Sequence, residues 1–321
     1  MDFLEDTGIK KNFNRLHLTA GKRGQFCPPQ YENLNYSIDR ITLIADLDES
    51  LWERCFNKWV ELPFIERAGA GLQVLDYSHC KVDDFGKEHD EVPPEQVAYI
   101  EMPRFQIGKL RIDFNPNHGM DSEAGIWLNE EVLEKLPNKH FSRADIAIDI
   151  FNHDEIKDYQ VWRFGTSVRY FLDRGRRMET TYWGKSSSQK QIRLYNKKKE
   201  QEVRHGKIVN VDSWWRLEMQ LRGNKVEEYP KLVAEMLRDF YKPAYKNPSL
   251  TESESNKVFR VMNDPLYYGS LDRKSKQRLI KAIHKAKPQN GLSFIIAQGF
   301  RYSLSRLDNE LFTYKGRFHL N

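Results

Sequence analysis

Phe141-Ser142-Arg143-Ala144-Asp145-Ile146-Ala147-Ile148-Asp149-Ile150 decides the fold. Ala144, Ile146, Ile148 and Ile150 fall on one face of an extended chain, and Arg143, Asp145, Ala147 and Asp149 on the other. That period of two reads as a half-buried strand. Aspartate is disfavoured in strands, so two on one face ask for a reason. Each pairs with an arginine, or together they hold a hard cation. Mg²⁺ and Mn²⁺ prefer oxygen ligands, and Mg²⁺ needs few protein carboxylates when water and phosphate complete its shell.

Two further stretches repeat the pattern. Trp214-Trp215-Arg216-Leu217-Glu218-Met219-Gln220-Leu221-Arg222 alternates an apolar set with Arg216, Glu218, Gln220 and Arg222. A glutamate between arginines is an ion pair, or a metal ligand whose neighbours grip phosphate. Lys190-Gln191-Ile192-Arg193-Leu194-Tyr195-Asn196-Lys197-Lys198-Lys199 sets Arg193 and Tyr195 opposite Ile192 and Leu194. A strand-end tyrosine ordinarily packs, with its hydroxyl bonded nearby. Beside an arginine and three lysines, Tyr195 is also a candidate nucleophile toward a phosphodiester.

If the three strands pair in one antiparallel sheet, their polar faces converge. The candidate site is then Tyr195 as nucleophile, with Arg193, Arg216 and Lys197 on the phosphate. Asp145, Asp149 and Glu218 are the candidate ligands for Mg²⁺ or Mn²⁺, and the sequence does not choose between the two aspartates. An ordinary tyrosine pKa of about 10 leaves little phenolate at neutral pH. The three cations are therefore expected to favour the phenolate.

Alternating strands with few helices between them predict an α+β fold with an antiparallel-sheet core. Residues 1–35 read as an irregular arm, 36–223 as the catalytic domain, and 224–321 as a mainly helical region. Within the core a strand is expected over 36–47, a helix capped by Ser50 to about Leu62, a loop at 82–95, strands near 97–103 and 108–114, and a short helix at 129–136. Further on, helices are expected over 225–241 and, capped by Ser270, over 271–287.

Composition narrows the function. The 321 residues include no apolar run of membrane-spanning length. Cys27, Cys55 and Cys80 are odd in number and far apart, which indicates neither zinc nor a disulfide framework. A cytoplasmic protein is expected. No Gly-rich loop precedes a helix, so the chain itself is not expected to use ATP. Between Val161 and Asn210 stand 13 Lys/Arg against 4 Asp/Glu, and that excess surrounds Tyr195. Trp162, Tyr170, Phe171, Tyr182 and Trp183 interleave it, a composition suited to single-stranded DNA. From Arg273 to Lys287 there are seven Lys/Arg and no Asp/Glu, on an amphipathic pattern that suits duplex DNA. Arg273, Gln277 and Arg278 are the candidates for base edges, and Lys274, Lys276 and Lys281 for phosphates.

The string Thr181-Tyr182-Trp183-Gly184-Lys185, the serine-rich loop after it and Ile192-Arg193-Leu194-Tyr195-Asn196-Lys197 resemble the rolling-circle plasmid initiators of the pT181 type. Ser142–Asp149, Arg216–Arg222 and Arg111-Ile112-Asp113-Phe114-Asn115-Pro116-Asn117 resemble that family's other core segments, in the same order, over about residues 36–223. The resemblance implies a nicking-closing initiator. Such a protein binds a double-strand origin, cuts one strand and stays joined to the 5′ end through a phosphotyrosine. It also implies a homodimer, a host superfamily 1 helicase as partner, and origin choice in the C-terminal part. One departure from the wider class is that the nine histidines contain no His-x-His pair, which leaves carboxylates as the expected ligands. Two other readings explain parts of the pattern. One is a non-enzymatic, sequence-specific DNA-binding regulator, with the acids as ion pairs. The other is a metal-free tyrosine recombinase or topoisomerase.

Overall fold

A computed structural model describes residues 31–78, 94–206, 208–264 and 266–315. Most of the expected N-terminal arm, residues 82–93 of the expected 82–95 loop, Cys27, His79 and Cys80 lie outside the described residues. The chain runs β1 (Leu34–Asp46), α1 (Glu49–Trp59), β2 (Ile65–Ala68), β3 (Gly71–Asp76), β4 (Glu95–Glu101), β5 (Lys109–Phe114), α2 (Glu123–Trp127) and β6 (His140–Phe151). It continues with β7 (Gln160–Val161), β8 (Val168–Leu172), β9 (Met178–Trp183), β10 (Lys190–Asn196), α3 (Lys197–His205) and β11 (Trp214–Arg222). Last come α4 (Tyr229–Asp239), β12 (Phe240–Tyr241), α5 (Glu252–Asn263), α6 (Tyr267–Ser270), α7 (Arg273–Lys285) and α8 (Leu292–Phe312).

Ten strands form one sheet in the order β2-β3-β4-β5-β1-β6-β11-β10-β9-β8, and β12 pairs with β7 apart from it. Every ladder is antiparallel. The α+β expectation holds, and the three chemistry-bearing strands are neighbours near the middle of the sheet.

The apolar side chains of β6, β10 and β11 share one face with Tyr36 and Ile38, and α4 and α8 belong to the same core. The docking of α8 is close. The Tyr36 hydroxyl donates to the Ile296 carbonyl at 2.8 Å. A Cβ on Gly299 would sit 2.4 Å from that hydroxyl, so only glycine lets the helix approach. Tyr229 of α4 packs on Phe300 and donates to Asp308 at 2.6 Å.

The C-terminal region thus divides. Its first and last helices complete the sheet's core, whereas α5 to α7 build a smaller one from Val258, Val261, Tyr267, Leu279 and Ile283. Trp162 and Phe164, between β7 and β8, pack against this second core.

Helix ends differ from the sequence expectation for physical reasons. Asp48 caps α1 and Asp272 caps α7, each through its carboxylate, where Ser50 and Ser270 were expected. An aspartate two residues away competes well for the same role. The helix expected at 129–136 starts earlier, at Glu123, and continues as a π-turn over Leu128–Leu133.

Candidate functional site

Paired residues form rows across the polar face of the sheet. One row runs Thr180, Tyr195, Arg216, Asp149, Asn35. The next runs Tyr182, Arg193, Glu218, Ala147, Ser37, and a third holds Gln220, Asp145 and Arg40. Tyr195, Arg193, Arg216 and Glu218 are therefore brought together as the alternation predicts. Asp145 and Asp149 lie on either side of the Glu218 row. Four residues of strand separate them by about 13 Å, so one cation cannot bind both.

The acids are engaged unequally. Asp149 is fully buried, and its Oδ1 accepts from Arg216 Nε at 2.7 Å and from Trp214 Nε1 at 2.7 Å. Its Oδ2 accepts from Arg216 Nη2 at 3.0 Å and from Asn35 at 3.5 Å. Both oxygens of Asp145 accept from Arg143, at 2.7 and 2.5 Å. Glu218 accepts from Arg193 through Oε2 alone, at 2.6 Å. The second hand of Arg216 reaches Asp39, whose Oδ1 accepts from Nη1 at 2.5 Å. Asp149 therefore serves to orient Arg216, and of the expected ligands Glu218 keeps the freest oxygen.

Asp39 joins the site from β1, and the sequence reading passed it over. The signal was there: the apolar positions run Tyr36, Ile38, then Ile41, Leu43, Ala45. The jump from 38 to 41 marks a bulge, and the β1–β6 register shifts between Ile38 and Arg40. Bulges of this kind re-aim side chains beside active sites. Here Asp39 and Arg40 both engage the polar face, Arg40 through a two-pronged pair with Asp113. Asn117 donates to the Ile38 carbonyl at 2.6 Å and ties the loop after β5 to this bulge.

Tyr195 is 6% exposed, and its hydroxyl has no hydrogen-bond partner among the described residues. Arg193 Nε and Gln220 Nε2 are likewise buried and unpartnered. Buried polar atoms are normally paired, so three orphans on one face leave room for a polar ligand. Arg193 covers the Tyr195 ring at 4.6 Å, and the Lys197 ammonium lies 5.7 Å from it. Lys197 opens α3, whose N-cap Asn196 accepts from the Lys199 amide at 2.9 Å, and its ammonium pairs with Glu200 at 2.5 Å.

The charges sort the groups further. Burial pushes the Tyr195 phenol well above its usual range, against the pull of Arg216 and Arg193. Arg216 and Arg193 pull toward the phenolate, but desolvation outweighs them. Burial also raises Glu218, to about 7; Arg193 opposes this, while the nearby charges of Asp145 and Asp39 add to it. At Asp39 burial works against ionisation, yet Arg216, Lys197 and His118 together bring its carboxyl down to about 2.

Among the described residues no group of three or more His, Cys, Asp or Glu side chains is arranged to hold a metal ion. Mg²⁺ needs only one or two protein carboxylates if phosphate and water complete its shell. Glu218 and Asp39 each have one oxygen outside the ion pairs just described. That donor set fits a hard cation; three protein ligands at once do not.

On α7, Arg273, Lys274, Gln277, Arg278 and Lys281 are exposed. Lys276 turns inward, toward the Tyr268 ring and the Gly269 carbonyl. Leu279, Ala282 and Ile283 face the second core. No described helix is long and apolar enough to cross a membrane.

No family model matches the chain. Two replication initiation proteins of Staphylococcus aureus are similar to it. One is 28% identical over 194 residues, covering 59% of this chain and 60% of the relative. The other is 26% identical over 200 residues, covering 60% and 62%. The chain thus matches about three fifths of the length of these relatives. A solved rolling circle replication initiator protein from Geobacillus stearothermophilus is a looser likeness, with 16% identity and a TM-score of 0.38 over 72% of this chain and 96% of that one. Over about three fifths of its length, the chain is related in sequence to replication initiation proteins.

Proposed function

We propose that this chain initiates rolling-circle replication of a plasmid by nicking one strand of its origin with Tyr195. The observation that carries the reading is the buried, unpartnered Tyr195 hydroxyl, flanked by Arg193 and Arg216 with Glu218 alongside. A structural tyrosine would have its hydroxyl bonded.

In the proposed step the Tyr195 oxygen attacks the scissile phosphorus. The Oη–P bond forms and the P–O3′ bond breaks. The phenol proton is lost, and the departing 3′ oxygen gains one from solvent. The product is a 5′-phosphotyrosine and a free 3′-OH. The phosphodiester energy is kept, so rejoining is the same exchange in reverse and needs no ATP.

Arg216 is held by Asp149 on one side and Asp39 on the other, so its guanidinium is fixed beside the attacked phosphate. Fixed charge of this kind is worth more in a buried site than in water. Arg193 must leave the ring of Tyr195 for the phosphate to enter, and it can carry its charge onto the phosphate as it does. Lys197 adds a third cation. Glu218, with Asp39, would hold a Mg²⁺ or Mn²⁺ ion. When bound, that ion polarises the phosphate and offsets charge built up during transfer.

Exposed cations on α7 suit the duplex origin and support recognition by the C-terminal part. A second strand cut is needed to end a round, and a homodimer would supply a second Tyr195. A host superfamily 1 helicase would extend the opened duplex.

The test uses supercoiled plasmid carrying this chain's coding region and flanks. It is incubated with the protein and Mg²⁺ or Mn²⁺, with and without EDTA, and with Tyr195→Phe. A metal-dependent nick with a nucleotide adduct on Tyr195 is expected. Binding without nick or adduct would favour the non-enzymatic regulator, whose ion-paired acids Asp145 and Asp149 resemble. Nicking that survives EDTA would favour the metal-free recombinase chemistry.

A further inference from the structure

The rows that hold the candidate site do not stop at Tyr195. The Arg193–Glu218 row continues through Tyr182 to Arg169 on β8, and the Tyr195–Arg216 row through Thr180 to Phe171. Directly opposed residues of an antiparallel pair point to the same side. Phe171, Tyr182 and Arg169 therefore share the face of the nucleophile. Neighbouring strands lie about 4.8 Å apart, which puts Phe171 about 10 Å across the sheet from Tyr195.

We infer that this outer part of the sheet is a stacking platform for bases of the single strand whose phosphate meets Tyr195. Phe171 and Tyr182 supply the rings, and Arg169 supplies a charge beside them. The inference rests on the proposed nicking function and names a subsite for it.

Three observations carry it. The first is exposure: every residue of β8 is exposed, and Phe171 is 51% exposed. A long apolar edge is normally an association hazard, so an uncovered phenyl ring here calls for an occupant. The second is geometry. The Phe171 and Tyr182 rings meet edge to face with centres 5.6 Å apart, and the Arg169 guanidinium lies 5.4 Å from the Tyr182 ring. Two rings and a guanidinium side by side make the surface on which bases stack.

The third is charge. Arg174 and Arg176 stand exposed in the β8–β9 turn with Arg177. The two acids of the hairpin are already used. Asp173 accepts from the Arg177 amide at 2.9 Å, and Glu179 pairs with Lys199 at 3.0 Å. An anionic strand continuous with the nick site fits this surface; a second copy, carrying the same arginines, would meet like charge.

The other aromatics of the region do not take part. Trp183 is buried against Phe240, and Tyr170 lies on the reverse face with its hydroxyl toward Gln160. The basic, aromatic stretch read from the sequence thus separates into core rings, one exposed ring on the reverse face and two candidate stacking rings.

The test measures anisotropy of a fluorescein-labelled 12-mer of thymidylate with the full chain. Phe171→Leu keeps apolar bulk and removes the aromatic face. It is expected to weaken binding about fivefold or more, and Phe171→Trp to restore it. Tyr170→Leu, on the same strand but the opposite face, is expected to bind as the parent does. Unchanged affinity in Phe171→Leu would overturn the platform, as would an equal loss in Tyr170→Leu. A fall from dimer to monomer in sedimentation with Phe171→Leu would overturn it in favour of a second copy on β8. If Tyr195→Phe still nicks plasmid, the nicking reading fails while the oligonucleotide result stands.

Discussion

The sheet face around Tyr195 and the outer face of α7 carry the same kinds of cation in opposite states. On the sheet, Arg40, Arg143, Arg193 and Arg216 are each locked to a carboxylate. On α7, Arg273, Lys274, Arg278 and Lys281 are exposed and have no ion pair among the described residues. Paired, buried charges fix geometry, and losing one leaves its partner stranded. Free surface charges fix nothing internally; they are available to phosphates and their worth depends on salt. Under the proposed function, the difference gives the sheet shape and chemistry and the helix graded, electrostatic attachment.

The most severe break of this contrast is Tyr195→Phe. Plasmid nicking is expected to fall below detection. The melting temperature should stay within about 1 °C, because the hydroxyl removed has no partner and no buried group loses one. Under a non-enzymatic reading the same variant would be silent in every assay.

Next in size is Arg216→Ala. It removes the partner of Asp149 and Asp39 together. Stranding buried charge costs about 3–5 kcal/mol, measurable as a shift of the urea midpoint. Arg216→Lys should recover little of it, since an ammonium cannot bond both oxygens of Asp149 and reach Asp39 as well. A small loss in both variants would mean that these acids are not held as a unit.

A further test reads the protonation state. Burial holds the Tyr195 phenol above its usual range, and the attacking form is the phenolate. The sign follows: raising pH increases the reactive fraction. Nicking should climb across about pH 6 to 9, short of the phenol's raised pKa, without a plateau. A plateau near neutrality would show that DNA binding brings the phenol down.

How much of this was legible depends on the element. β6, β10 and β11 were readable because their alternation is strict and both faces are distinctive. Tyr195, Arg193, Arg216 and Glu218 converge as that alternation requires. Asp39 was harder, because the bulge at Ile38–Arg40 breaks the period that identifies a polar face. The ion pairs that occupy Asp145 and Asp149 depend on rotamers, which a sequence pattern does not encode. α8 shows another limit. Its contact with Tyr36 requires Gly299 and buries Ser303, and these small residues interrupt the apolar stripe that would announce a helix. Likewise Phe171 and Trp183 look alike in a basic stretch; only the register separates the exposed ring from the buried one.

The smallest expected effects come from α7, and they sharpen the comparison most finely. If its exposed lysines only neutralise phosphates, Lys274→Ala and Lys281→Ala should each weaken origin-duplex binding on any sequence. Each should also lower the salt slope of log affinity by about 0.9. Gln277→Ala should leave the slope alone and instead reduce discrimination between origin and unrelated duplex, by about 1–3 kcal/mol if the amide reads a base edge. Lys276→Ala is the internal control, since its side chain turns toward Tyr268 and Gly269 and should leave the slope unchanged. Equal slopes for Lys274→Ala, Lys276→Ala and the parent would mean that the free charges of α7 do not meet DNA. The division of labour between sheet and helix would then rest on the sheet alone.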